Sequence, residues 1–80
     1  MVTALRLAGF RIVIFSDDHE PAHVHIFGDG EAKINLSSGP GRQPELVWAV
    51  GMKHADIRKC MRLVEDNREA LLAHWNEIHG

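Results

Sequence analysis

Eighty residues carrying a net charge of −2, with both signs interspersed, fit one domain, residues 1–80, and give no general pull toward nucleic acid or an anionic membrane. A chain this short buries roughly 60% of its unfolded surface, yet a hydrophobic content of 45% separates it from disordered sequences. One cysteine, Cys60, excludes an internal disulfide and fits a reducing compartment, and with no signal-peptide layout and no apolar run of membrane-spanning length the expectation is a cytoplasmic domain without membrane contact.

The first expected element is a strand in "GFRIVIFS", where Phe10, Ile12 and Ile14 alternate with Arg11, Val13 and Phe15. β-Branched residues dominate it, and apolar side chains on both faces suit a central strand or a covered second face. "DDHEP" interrupts this strand, and Pro21 biases Glu20 toward extended backbone. "AHVHIF" and "EAKINL" follow as strands around "GDG". "SSGPGRQP" has loop composition. "ELVWAV" is the next strand, with Pro44 placing its start at an edge or a strand end.

From His54 onward the pattern is helical. Ile57, Met61, Val64, Leu71, Trp75 and Ile78 recur at helical spacing, interrupted by Arg68. One long helix to Ile78 fits the stripe, while Asp66-x-x-Glu69 is a capping-box pattern that would start a second helix. The expected fold is therefore α+β: a small antiparallel sheet of three to four strands, with a β-hairpin at 22–36, packed on one face by a long C-terminal helix or a helix pair. Trp48 and Trp75 are expected as core anchors.

The hairpin register follows from side-chain alternation. A two-residue Asp29-Gly30 turn would set Ile26 opposite Lys33 and His25 opposite Ile34, mixing polar and apolar residues on each face. A three-residue Gly28-Asp29-Gly30 loop instead pairs Phe27 with Glu31, Ile26 with Ala32, His25 with Lys33, Val24 with Ile34 and His23 with Asn35. Ala22, Val24, Ile26, Ala32, Ile34 and Leu36 then share one face. His23, His25, Phe27, Glu31, Lys33 and Asn35 share the other. A one-residue slip exchanges the faces, so the pattern selects the three-residue loop, with Gly30 in a left-handed conformation. The helical stripe is expected to cover the Val24/Ile34 face and leave the histidine face open or available to a partner.

Three of six histidines lie between positions 19 and 25. His23 and His25 point the same way on a strand, so they could share a divalent ion, with Asp17, Asp18 or His19 as a third ligand. Lys33 across from His25 works against a second cation, and no cofactor is favoured on that ground. The same lysine, with Asn35 and Arg11, suggests an anion site for phosphate or RNA backbone, where Phe15 and Phe27 would stack on bases. A lysine nearby should lower the histidine pKa and keep an imidazole basic near neutral pH. His23 and His25 would then be the acid–base pair of a metal-independent ribonuclease-like enzyme. The plain alternative is a solvated sheet face, or a protein-binding surface marked by Phe15 and Phe27. Cys60 is expected as a small packed residue, and His54, His74 and His79 as helix-surface or helix-end residues.

"FSDDHEPAHVHIFGDGEAKINL" followed by "NREALLAHWNEIHG" resembles the bacterial family of domain of unknown function 4160. Its members carry an Asp/Glu-His-x-Pro-x-His-Val-His box after an N-terminal strand and end in a helix with Asn-x-x-x-Leu and Trp. The box matches Asp18, His19, Pro21, His23, Val24 and His25, and the helix matches Asn67, Leu71 and Trp75. Ala22 departs from a second proline in many relatives, and the Ser37–Pro44 loop is particular to this sequence. The resemblance implies a gene beside another small gene, as in toxin–antitoxin pairs, and hence a cognate small protein as partner, with RNA as a further candidate. The expected function is a component of such a pair whose box, with Asp18, His19, Lys33, Asn35, Phe15 and Phe27, contacts RNA, phosphate or the partner. The alternatives are a metal- or small-ligand-binding module without catalysis, with His19, His23 and His25 as ligands, and a pure interaction or inhibitor domain.

Overall fold

The computed structural model describes residues 2–37 and 40–79. Five strands form one antiparallel sheet in chain order: β1 Val2–Leu7, β2 Phe10–Ile14, β3 His23–Gly28, β4 Gly30–Asn35 and β5 Glu45–Val50. A short 3₁₀ turn, Pro40–Arg42, precedes β5, and two helices follow it, α1 His54–Asp66 and α2 Arg68–His79. No helix among the described residues is long and apolar enough to cross a membrane.

The β3–β4 register is the one that alternation selects. His23 faces Asn35, Val24 faces Ile34, His25 faces Lys33, Ile26 faces Ala32 and Phe27 faces Glu31. Phe10, Ile12, Ile14, Val24, Ile26, Ile34 and Leu36 are buried together with Cys60, Val64, Leu71 and Trp75 from the helices. Both helices therefore cover one sheet face. The apolar stripe runs across their junction at Asn67, whose φ of −112° leaves the helical range. The Asn67 side chain donates to the Leu63 carbonyl at 2.8 Å, satisfying an acceptor at the end of α1.

Gly30 has φ +108°, and a Cβ there would lie 2.5 Å from the Gly51 backbone. Positive φ and this close approach both require glycine. Gly30→Ala should destabilise the fold by on the order of 2–3 kcal/mol, measured by urea unfolding. A loss below half of that would mean that the β4–β5 corner yields.

Two expectations are corrected. The sheet has a fifth strand, β1, hydrogen-bonded to β2 through an Ala8-Gly9 turn in which both residues have positive φ, 52° and 82°. Trp48 is not a core anchor. It is 36% exposed, because it pairs with Lys33 on the sheet face away from the helices, on the edge strand β5, whereas Trp75 is buried at 2%.

Candidate functional site

On the face away from the helices, the register lines side chains up in rows across the sheet. One row runs Val13, His25, Lys33, Trp48, and a second runs Arg11, Phe27, Glu31, Val50. This face is less open than alternation alone suggests. Val13 is fully buried, and His23 is only 4% exposed.

The cover comes partly from the β2–β3 loop. The Asp18 amide donates to the Phe15 carbonyl at 3.1 Å, and the Phe15 amide donates back to Asp18 Oδ2 at 3.2 Å. This reciprocal turn holds the Asp18 carboxylate over the histidines. Asp18 Oδ2 lies 3.1 Å from His23 Nε2 and 3.9 Å from His25 Nε2. Trp75 supports the same loop from α2: its Nε1–H donates to Glu20 Oε1 at 3.1 Å, and its ring lies 5.2 Å from that of His23.

The two Nδ1 atoms differ in what lies behind them. His23 Nδ1 lies 2.9 Å from the Pro21 carbonyl, a contact that requires the proton on Nδ1. Nε2 then faces the Asp18 carboxylate either with a second proton, as an ion pair, or with a lone pair. In the second case two acceptors 3.1 Å apart need a cation between them. His25 Nδ1 is buried without a hydrogen-bond partner, 3.6 Å from Glu31 Oε2. Burial lowers the His25 pKa; Asp18 opposes the shift, His23 adds to it and Glu31 opposes it. The shift has the direction expected from sequence, but its main cause is desolvation rather than Lys33.

Asp18, His23 and His25 thus bring three ligand atoms within 4.8 Å of one another. Two imidazoles, that of His23 held from behind by the Pro21 carbonyl, together with a carboxylate, form the donor set of many transition-metal centres. Cis ligands about 2.0–2.2 Å from one ion stand about 3 Å apart, which matches the 3.1 Å between Asp18 and His23; His25 Nε2 stands 3.9 Å from Asp18 Oδ2, within a cluster spread over 4.8 Å, and has to close in by about 1 Å or more. His19, named from sequence as a third ligand, is exposed and outside this cluster, and Asp18 takes that position.

The cluster opens into a pocket of about 410 Å³ lined on one side by Asp17, Asp18 and Glu20 and on the other by Lys33 and Trp48, with His19 also at its wall. Three carboxyl side chains against one lysine make this a poor seat for a bare polyanion. Asn35 faces His23 across the hairpin. Phe15 and Phe27 are half-buried rather than free rings: Phe15 sits edge-on to His25 at 4.8 Å, and Arg11 lies 5.2 Å above the Phe27 ring.

The remaining candidates are structural. Cys60 is buried and donates to Met52 Sδ at 3.8 Å; burial, and Asp56 after it, push its thiol up to about 11, so it is not a poised nucleophile. His54 is exposed and His74 half-buried. His79 stacks on Trp75 with ring centroids 3.8 Å apart.

The fold and site together define a small five-stranded α+β domain with helices on one face and a His–His–Asp box on the other. The chain matches the family model of DUF4160, a domain of unknown function, over residues 9–76, and it belongs to that family. No curated protein and no solved structure matches the chain.

Proposed function

We propose that the box is a divalent transition-metal site and that the domain acts as a metal-binding module. The observation that carries this reading is the facing of His23 Nε2 and Asp18 Oδ2 at 3.1 Å, while His23 Nδ1 is committed to the Pro21 carbonyl. A cation resolves the opposed lone pairs. His25, whose pKa burial lowers, supplies the third donor. Imidazole donors favour zinc, nickel, copper or iron over magnesium or calcium. Three protein donors leave coordination positions toward the pocket, so a further ligand can reach the metal. Elemental analysis and calorimetric titration with Zn²⁺ and Ni²⁺ test this directly. One equivalent per chain, absent from Asp18→Asn/His23→Ala protein, is the expected result. A folded wild type that takes up neither ion would refute it.

A second reading is supported by β5. Leu46, Val47, Trp48 and Val50 are exposed along one edge strand, Val50 by 67%. Unpaired edges bearing apolar side chains recruit other chains. We propose that this edge meets the cognate small protein of a toxin–antitoxin-like pair. Val47→Lys/Val50→Lys should weaken binding to the product of the neighbouring gene by at least about tenfold, since buried apolar contacts are replaced by desolvated charges. Unchanged affinity would move the interface off β5. The acid–base ribonuclease reading has less support, because the pocket is acid-rich and Lys33 is not what tunes His25.

A further inference from the structure

Lys33 is the unexplained charge on the box face. It is half-buried, directly across from His25, and on the wall of the same pocket. Among the described residues it makes no ion pair, and the nearby carboxylates are oriented elsewhere: Asp18 toward both histidines and Glu31 toward His25. A lysine on an open sheet face usually needs no partner beyond water. This one stands beside a site that gains a divalent cation under the reading above. Two cations on adjacent strands repel, and an anion placed between them offsets that repulsion beyond what the Asp18 carboxylate does. Trp48, next in the row beyond Lys33, leaves about a third of its surface exposed in the pocket.

We infer that the loaded site binds a phosphate monoester carrying a planar ring, a nucleoside monophosphate being the simplest form. This rests on the metal reading. The phosphate oxygens would fill the open metal positions and accept from the Lys33 ammonium, offsetting the repulsion between the two cations. The ring would lie on Trp48. The terminal monoester carries more negative charge than an internal phosphodiester, which is what a divalent ion beside a lysine selects. It is also compact enough to stay on the Lys33 side of the pocket, away from Asp17 and Glu20.

The test is a calorimetric titration of inorganic phosphate, adenosine 5′-monophosphate and a short single-stranded RNA without a terminal phosphate. Each is added to Zn²⁺-loaded and metal-free wild type, Lys33→Met and Trp48→Ala. Loaded wild type should bind phosphate and the monophosphate, and metal-free protein neither. Lys33→Met should retain Zn²⁺ yet lose about 10- to 100-fold in affinity for both anions, as expected for a charge-assisted hydrogen bond. Trp48→Ala should lose about tenfold for the monophosphate alone, the size of one stacking contact. Zn²⁺ bound with no anion affinity, or Lys33→Met binding as tightly as wild type, overturns this inference and leaves the metal reading standing. RNA binding more tightly than the monophosphate overturns the ligand class. A chain that binds no Zn²⁺ overturns both.

Discussion

His25→Ala is expected to lower divalent-metal affinity by at least about 100-fold while the fold survives. The ring sits with its side chain 14% exposed, edge-on to Phe15, and makes no hydrogen bond at Nδ1. Its removal therefore strips a ligand at limited cost to stability. Outer-sphere partners of metal-bound histidines alone are worth 10- to 100-fold, and a direct ligand is worth more. Glu31→Gln supplies the internal comparison. It leaves all three donors in place and removes only the carboxylate behind His25, so a loss of about tenfold is expected. Competition against a chelating dye measures both. His25→Ala within threefold of wild type would mean that the ring points into the pocket without coordinating.

Trp75→Ala should be the most damaging single change to the fold. The indole is 2% exposed, stacked on His79, against His23, and hydrogen-bonded to Glu20. Truncating a buried tryptophan costs about 3–5 kcal/mol. A domain of this size holds about 4–12 kcal/mol in all, so the variant should be partly unfolded at 37 °C or melt well over 10 °C lower. Trp75→Phe should recover most of the burial and lose only the bond to Glu20, about 1 kcal/mol. Because that bond ties down the loop carrying Asp18, Trp75→Phe should also weaken metal binding with little loss of helix content. Urea unfolding and metal titration on the same preparations separate the effects. A Trp75→Ala variant within 1 kcal/mol of wild type would contradict the packing described.

The hairpin was legible in the sequence because alternation is unforgiving. One polar–apolar pattern admits one register, and Val24, Ile26, Ala32 and Ile34 all had to share a face. Strand β1 was not legible. "VTALRL" alternates poorly, and its turn to β2 is Ala8-Gly9, where alanine takes a positive φ that no Asn-Gly or Asp-Gly signature announces. Trp48 misled for a different reason. A tryptophan in an apolar strand reads as core, but Trp48 falls on the Lys33 side of the sheet, and which face of a strand the helices cover is a tertiary property. The strand placed His23 and His25 together from spacing alone. The choice of Asp18 over His19 as the third donor depends on the Phe15–Asp18 turn, since adjacent loop residues differ in direction rather than in chemistry. The helix break at Asn67 falls beside the Asp66-x-x-Glu69 pattern, and the apolar stripe passes through it, which is why one helix and two fitted the sequence alike.

His23 and His25 are proposed to share one cation through Nε2. Long-range ¹H–¹⁵N spectra of the imidazole rings, recorded before and after one equivalent of Zn²⁺, observe those atoms directly. His23 should begin with its proton on Nδ1, bonded to the Pro21 carbonyl, and keep it. The Nε2 resonances of both His23 and His25 should move to metal-bound positions together at one equivalent, while those of His54 and His74 stay in place. Unmoved Nε2 resonances at His23 and His25, or zinc-dependent shifts confined to His54, His74 or His79, would contradict it.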